Sequence, residues 1–370
     1  MKIETVTLRN FKRFKSLTVD IKNKTLNEVA DQFLILGDNG TGKTTVLQAI
    51  ALCLSRVSQK TRSVHDFDWM GWVPGRYFRW GTPFVELIVH FTDKEIVATQ
   101  EAARRWYESR PDFAGRPPYV EPPHSNIVHV FLEGERYATG KANEQFLFGG
   151  RSYAASLLNT DTGARDLFED LPGVFWFDQF RNLATPPGAR EVERDEQVHE
   201  EPSGRISYAV GVAQLREHLN KWKLGRVARG PVTGRHDFLM DLENLYKKVF
   251  PGRSFSDPEP IFRGGVPSPQ GYYFTISDGW RTYDIEEMSS GEQSIFPILY
   301  EFVRQQVRNS IVLIDEIDLN LHPPLAQAFV SLLPQLGLNC QFIYTTHSEA
   351  ISSIVSPEQI YRLKGGHLCL

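Results

Sequence analysis

One stretch limits what this chain can fold into more than any other: Phe33-Leu34-Ile35-Leu36-Gly37-Asp38-Asn39-Gly40-Thr41-Gly42-Lys43-Thr44-Thr45. Four apolar residues of strand type run into a glycine-rich turn, and the helical pattern Val46 to Leu54 follows at once. Gly37, four residues, Gly42, Lys43 and Thr44 fit the G-x-x-x-x-G-K-[ST] spacing of a phosphate-binding loop. In such a loop successive backbone N–H groups and a helix N-terminus converge on an anion. Gly40 and Gly42 let the backbone curl without a Cβ clash. Lys43 brings a point charge to β and γ phosphates, and the Thr44 hydroxyl is of the type that ligates Mg²⁺. ATP and Mg²⁺ are therefore the expected ligands, with Gly37, Asn39, Gly40, Thr41, Gly42, Lys43, Thr44 and Thr45 around the nucleotide.

A second stretch supplies what such a loop lacks. Ile311-Val312-Leu313-Ile314 is an apolar run of the kind buried on both faces of a sheet, and it delivers Asp315 and Glu316 at its end. Asp315 is placed to hold Mg²⁺ and Glu316 to polarise an attacking water, because phosphoryl transfer needs positioning and charge more than covalent help. About 270 positions separate Lys43 from Asp315, so the core is interrupted by inserted segments. Farther on, Phe342 to Thr346 reads as a strand ending at His347, within reach of a γ-phosphate.

Between these motifs lies Met288-Ser289-Ser290-Gly291-Glu292-Gln293, followed by an apolar helical run from Ile295 to Val307. A serine-glycine turn at a helix N-terminus is a second anion site. The first loop already holds one phosphate chain, so Ser289, Ser290 and Gly291 are expected to serve a nucleotide held by another subunit. A homodimer, or a higher even oligomer, closed through ATP is the implied partner state.

Composition bounds the rest. The chain has 370 residues, 41% of them hydrophobic, and no apolar run approaches the roughly 18 residues that span a bilayer. A soluble, cytoplasmic protein without membrane contact is expected. The three cysteines, Cys53, Cys340 and Cys369, show no metal-type pairing. A net charge of −4 gives no overall basic field for nucleic acid. The aromatic and basic loop Trp69 to Trp80 keeps nucleic acid open as a local partner.

In chain order, residues 3–22 read as a β-hairpin, Pro83 to Phe91 and Ile127 to Leu132 as antiparallel strands, and Pro111 to Pro123 as a proline-dense loop. Residues 184–204 are charged and poor in apolar groups, which suits an exposed loop. Ala213 to Val249 has helical spacing broken around Gly225 to Gly234, and Tyr272 to Ile276 reads as a further strand.

These motifs together resemble an ABC-type ATPase of the RecF/SMC/OLD group, over residues 1–55 and 285–360. Met288-Ser289-Ser290-Gly291-Glu292 is similar to the ABC signature, departing at Met288 and Ser290 from its usual Leu and Gly. The segment Ile317 to Pro323, Leu319-Asn320-Leu321-His322-Pro323 included, together with Thr346-His347-Ser348, resembles the OLD-like branch. The resemblance implies an α/β fold: a P-loop ABC-type ATPase head with a mixed β-sheet core, an antiparallel β subdomain and an inserted helical subdomain. Residues 1–370 then form one ATPase domain, with 93–170 an inserted β and loop region and 205–270 an inserted helical region. The resemblance also implies that Gln179 touches Mg²⁺ and water, and that Lys12 or Arg13 approaches the nucleotide.

OLD-type nucleases carry a TOPRIM domain after the ATPase, and the 23 residues beyond His347 are too few for one. The expectation is an ATP-hydrolysing switch that controls a separate effector, a nuclease or toxin, similar to the ATPase subunits of bacterial anti-phage systems such as PtuA or AriA. A RecF-like DNA repair clamp and an ABC transporter subunit are the alternatives. Lys43→Ala is expected to lose ATP binding while remaining folded; an ATP dissociation constant equal to wild type, measured by calorimetry, would refute it.

Overall fold

The computed structural model describes the chain except residues 24, 68–70, 112–117, 159, 180, 182, 184–207, 230–236, 262–270 and 365–370. The loop expected at 184–204 lies outside the described residues, as do parts of those at 69–80, 111–123 and 225–234. The chain divides into two compact units, one of residues 1–177, 307–317 and 337–370, the other of 178–306 and 318–336.

The first unit holds two five-stranded sheets. Strand β1 (Lys2–Phe11) turns back into β2 (Phe14–Asp20), with Phe11 opposite Phe14, as the hairpin pattern predicts. Strand β3 (Gln32–Leu36) leads through the glycine-rich loop into helix α1 (Lys43–Val57). Strand β4 (Phe84–His90), helix α2 (Asp93–Glu108) and strands β5 (Ile127–Glu133) and β6 (Arg136–Thr139) follow. The antiparallel sheet has the order β2-β1-β4-β5-β6. On β4 and β5 buried positions alternate with more exposed ones, because one face meets the core and the other meets solvent.

The other sheet adds β7 (Val174–Phe177), β8 (Ile311–Ile314), β9 (Gln341–Thr346) and β10 (Ile360–Arg362). Its order is β10-β3-β9-β8-β7, and every pairing in it is parallel. Parallel and antiparallel strands thus both occur, in separate sheets. Strands β8 and β9 are buried at every position, which explains the unbroken apolar run Ile311 to Ile314. Helix α1 touches β4 and β5 of one sheet and β9 of the other, and Val46 through Leu54 are buried without a gap. A helix this apolar all round can only be a central one.

Buried Gln341 joins the sheets by hydrogen bonds. Its Oε1 accepts from Ile3 N at 2.7 Å, while its Nε2 donates to Ile3 O at 2.8 Å and Ala30 O at 3.0 Å.

Two expectations change. Residues 93–108, inside the stretch expected to be β and loop, form α2, and Gly150–Leu157 is also helical. The signal was present: Thr92 and Glu95 make a capping box, and Glu95, Ile96, Thr99, Ala102 and Ala103 form one buried stripe. Tyr272 to Ile276 is not one strand. Tyr272–Tyr273 pairs with Glu259–Pro260, while Thr275–Ser277 pairs with Thr282–Asp284. Buried Phe274 marks the switch and donates its N–H to Asp284 Oδ2 at 3.1 Å.

The aromatic loop splits in two. Trp72 and Tyr77 are buried against Phe11, whereas Phe78 and Trp80 are exposed and Arg79 lies 5.1 Å over the Trp80 ring. Cys53 and Cys340 are free and buried, and burial pushes the Cys340 thiol up to about 11.

The second unit contains helices α3 (Tyr208–Arg229), α4 (Phe238–Val249), α5 (Ser290–Arg304) and α6 (Pro323–Leu336), with the Thr275–Ser277/Thr282–Asp284 hairpin. Among the described residues no helix is long and apolar enough to cross a membrane.

Gln341→Ala removes a hydrogen bond from each of three buried backbone groups, so it is expected to destabilise the fold by about 2–4 kcal/mol. The urea midpoint should fall accordingly, and an unchanged midpoint would show that the bridge contributes nothing.

Candidate nucleotide site

Three strand ends of the parallel sheet build the site: Gly37 follows β3, Asp315 follows β8 and His347 follows β9. The carboxyl ends of parallel strands are where such sheets bind ligands.

The loop depends on its glycines. Gly40 has φ +79° and Gly42 φ +101°, a region that side chains rarely adopt. A Cβ on Gly42 would also lie 2.5 Å from Arg13 Cδ and 2.6 Å from Phe14 Cζ, because the β1–β2 turn packs against the loop there. Arg13 is exposed beside the loop. Lys12 points elsewhere: its Nζ donates to Gln48 Oε1 on α1 at 2.5 Å and to Gly71 O at 3.3 Å, and it lies 4.9 Å over the Trp72 ring. Burial lowers its pKa to about 8. Of the two residues expected near a nucleotide, Arg13 stands against the phosphate loop and Lys12 is held by its own neighbours. Thr41 closes the turn by donating to Asp38 O at 2.8 Å, and Asn39 is exposed. Thr45, like Thr44, sits half-buried in the first turn of α1, a turn without a side-chain cap. Its leading N–H groups are left for an anion.

Lys43 is 4% exposed, and its Nζ donates to Gly37 O at 2.9 Å and Asp38 O at 3.2 Å. It also faces Glu316 Oε1 at 3.2 Å. The Thr44 hydroxyl donates to Asp315 Oδ2 at 2.7 Å across 271 positions of sequence. Asp315 Oδ1 accepts from the Thr345 hydroxyl at 2.7 Å. Glu316 has φ +46°, which costs a non-glycine residue on the order of 1–3 kcal/mol, a strain of the kind that clusters at functional sites. Its Oε2 lies 3.1 Å from Nδ1 of the exposed His347. The structure therefore gathers Lys43, Thr44, Asp315, Glu316 and His347. Thr345 was not among the residues singled out from sequence, though a hydroxyl inside a buried strand is a readable signal.

These donors suit the expected ion. A hydroxyl and a carboxylate are hard oxygen donors, and Mg²⁺ commonly takes one or two such groups from protein and the rest from water and phosphate.

The signature turn belongs to the second unit. Ser289 is the N-cap of α5: its Oγ accepts from Glu292 N at 3.3 Å and donates to Glu292 Oε2 at 2.7 Å. The turn thus arrives already capped, unlike α1. Glu292 Oε1 accepts from Tyr246 OH at 2.6 Å and Tyr283 OH at 2.8 Å, and Arg253 Nε lies 3.4 Å away. Burial alone would raise this carboxyl, yet the hydrogen bonds from Tyr246, Ser289 and Tyr283 outweigh it and hold the pKa below its usual value. Gly291 lies against Asn320 and Leu321, with its Cβ position 3.5 Å from Asn320 O, so the Leu-Asn-Leu-His-Pro segment packs on the start of α5. Ser289 and Ser290 are exposed. Gln179 lies in a turn two residues beyond β7, next to Arg181, whose Nε donates to Ser294 O on α5 at 3.2 Å.

Known proteins bear on this arrangement. Residues 1–104 match a family model described as "AAA ATPase domain", and residues 191–353 match one described as "AAA domain, putative AbiEii toxin, Type IV TA system". The chain is 23% identical to the Retron Ec83 probable ATPase of Escherichia coli, over 99% of this chain and 72% of that one. It is 21% identical to the Retron Vc95 probable ATPase of Vibrio cholerae serotype O1 biovar El Tor, over 97% and 73%. Its fold is similar to that of an SMC head bound to the C-winged helix domain of ScpA, with a TM-score of 0.52 and 16% identity, over 96% of this chain and 93% of that one.

Proposed function

We propose that this chain, which is an ATP-hydrolysing enzyme of the ABC/SMC-like type, works as a switch: it closes around ATP as a dimer and controls a separate effector in bacterial defence. The observation that carries the reading is the 2.7 Å hydrogen bond between Thr44 and Asp315, which brings the phosphate loop and the acidic strand end to one point. The likeness to retron ATPases and to the AbiEii model supports the defence role.

In this reading Lys43 turns from the carbonyls of Gly37 and Asp38 to the β and γ phosphates, which are better partners for its charge. Thr44 and Asp315 would hold Mg²⁺, which would neutralise charge on the phosphate oxygens. Glu316, released from Lys43, accepts a hydrogen bond from the attacking water and takes its proton. His347 orients the Glu316 carboxylate through their 3.1 Å contact.

The signature turn completes the site from a second copy. The phosphate loop and α5 each present a helix N-terminus, and a head-to-tail pair aims both at one nucleotide from opposite sides. The Ser289 hydroxyl donates a hydrogen bond to Glu292 in the single chain and to a phosphate in the pair.

Glu316→Gln is expected to bind ATP as wild type does and to hydrolyse it on the order of 10²-fold more slowly or worse. Normal turnover by that protein would remove Glu316 from the role of base. Ser289→Arg should leave ATP binding by the single chain intact and block hydrolysis. Mixed with Lys43→Ala, it should regain part of the activity, because the pair retains one complete site. Full ATPase activity from a Ser289→Arg protein that stays monomeric with ATP would rule out the sandwich.

A further inference from the structure

Thr345 is the last residue but one of β9 and is fully buried, in the middle strand of the parallel sheet. A buried threonine needs partners for one hydroxyl proton and at least one lone pair, and the ordinary solution is the backbone of its own element. Thr345 does otherwise. Its Oγ1 donates to Asp315 Oδ1 at 2.7 Å and accepts the N–H of Glu316 at 2.8 Å, so one oxygen holds both acids of a strand about 30 positions earlier. Its carbonyl accepts the N–H of Ile317 at 2.9 Å, which closes the same turn from the other side.

Each contact answers a particular problem. Asp315 is 1% exposed and has two oxygens to orient. One faces the Thr44 hydroxyl, a group that would also ligate Mg²⁺, while the other is held by Thr345, whose contact would not compete with the ion. Glu316 leaves the extended conformation at φ +46°, and its N–H leaves the strand ladder. The Thr345 hydroxyl receives that N–H and holds the residue in a conformation from which its carboxylate reaches Lys43 and His347.

We infer that Thr345 is a positioning residue for hydrolysis: its hydroxyl sets the plane of the Asp315 carboxylate toward Mg²⁺ and locks the turn that aims Glu316. The inference rests on the roles given above to Asp315 and Glu316.

Thr345→Val preserves the branched shape of the side chain and removes the hydroxyl, while Thr345→Ser preserves the hydroxyl and removes the methyl. The valine protein is expected to bind ATP without Mg²⁺ with a calorimetric dissociation constant within about twofold of wild type, to lose roughly 10- to 100-fold in kcat, as small displacements of catalytic groups do, and to need more Mg²⁺ both for half-maximal rate and for the calorimetric gain in ATP affinity that Mg²⁺ gives. The serine protein should recover most of the kcat and the wild-type Mg²⁺ midpoint. A purely structural role predicts instead that serine, which leaves a small void, is as impaired as valine or that neither changes Mg²⁺ dependence; either result overturns the proposal. Wild-type kcat in folded Thr345→Val overturns it too. If the valine protein does not fold, Thr345→Cys replaces it, since a thiol is a weaker donor of similar size: reduced kcat with a raised Mg²⁺ midpoint supports the proposal, and wild-type behaviour overturns it. Glu316→Gln and Asp315→Asn assayed alongside separate the two levels, because normal turnover in both would refute the roles of the acids, whereas slow turnover in both with a wild-type Thr345→Val refutes the Thr345 role alone.

Discussion

Helix α1 is buried along nearly its whole length against two sheets, and its first turn is left without a side-chain cap. Those two facts order the rest of the first unit. Burial fixes the helix where it cannot tilt without opening both halves of the core, so the N–H groups at its start are held in place before any ligand arrives. Lys43 and Thr44 are carried on that first turn and inherit its position. A flexible loop with the same residues would have to be ordered by the phosphate itself, at a cost in binding entropy.

The first unit buries polar groups around the glycine-rich loop, and three of them, Gln341, Asp315 and Lys43, have well-defined partners. Gln341 satisfies the backbone of β1 and the segment before β3. Asp315 has the hydroxyls of Thr44 and Thr345, and Lys43 has two carbonyls and Glu316. An unpaired charge at such depth would cost several kcal/mol, so the pairing is a condition of folding as much as of chemistry. The same pairing keeps Lys43 and Glu316 on each other while no phosphate separates them.

In the second unit Glu292 has a comparable place. One carboxylate caps α5, holds the Ser289 hydroxyl and gathers Tyr246 from α4 and Tyr283 from the hairpin. The signature serine is thus tied to two other elements through a single residue.

The phosphate loop, the acidic strand end, the signature turn and the terminal histidine were all legible in the sequence, because each is a local pattern of residue types whose spacing chemistry dictates. The hairpin at the start and the apolar run of β8 were legible for the same reason, since periodicity reports burial. Helix α2 is legible too, through its capping box, although its neighbours read as β and loop. Tertiary structure alone decided the rest. Spacing cannot reveal that Arg13 turns to the loop while adjacent Lys12 turns to Gln48 and Trp72, because that choice is made by which wall of the core stands nearby. Nor can it reveal that Thr345 holds two acids on another strand, or that Trp72 is buried while Trp80 is exposed. Local sequence determines what a segment is able to present; the strand order β3-β9-β8 and the helix that follows β3 determine what it meets, since together they bring residues about 30 and 270 positions apart within the length of a hydrogen bond.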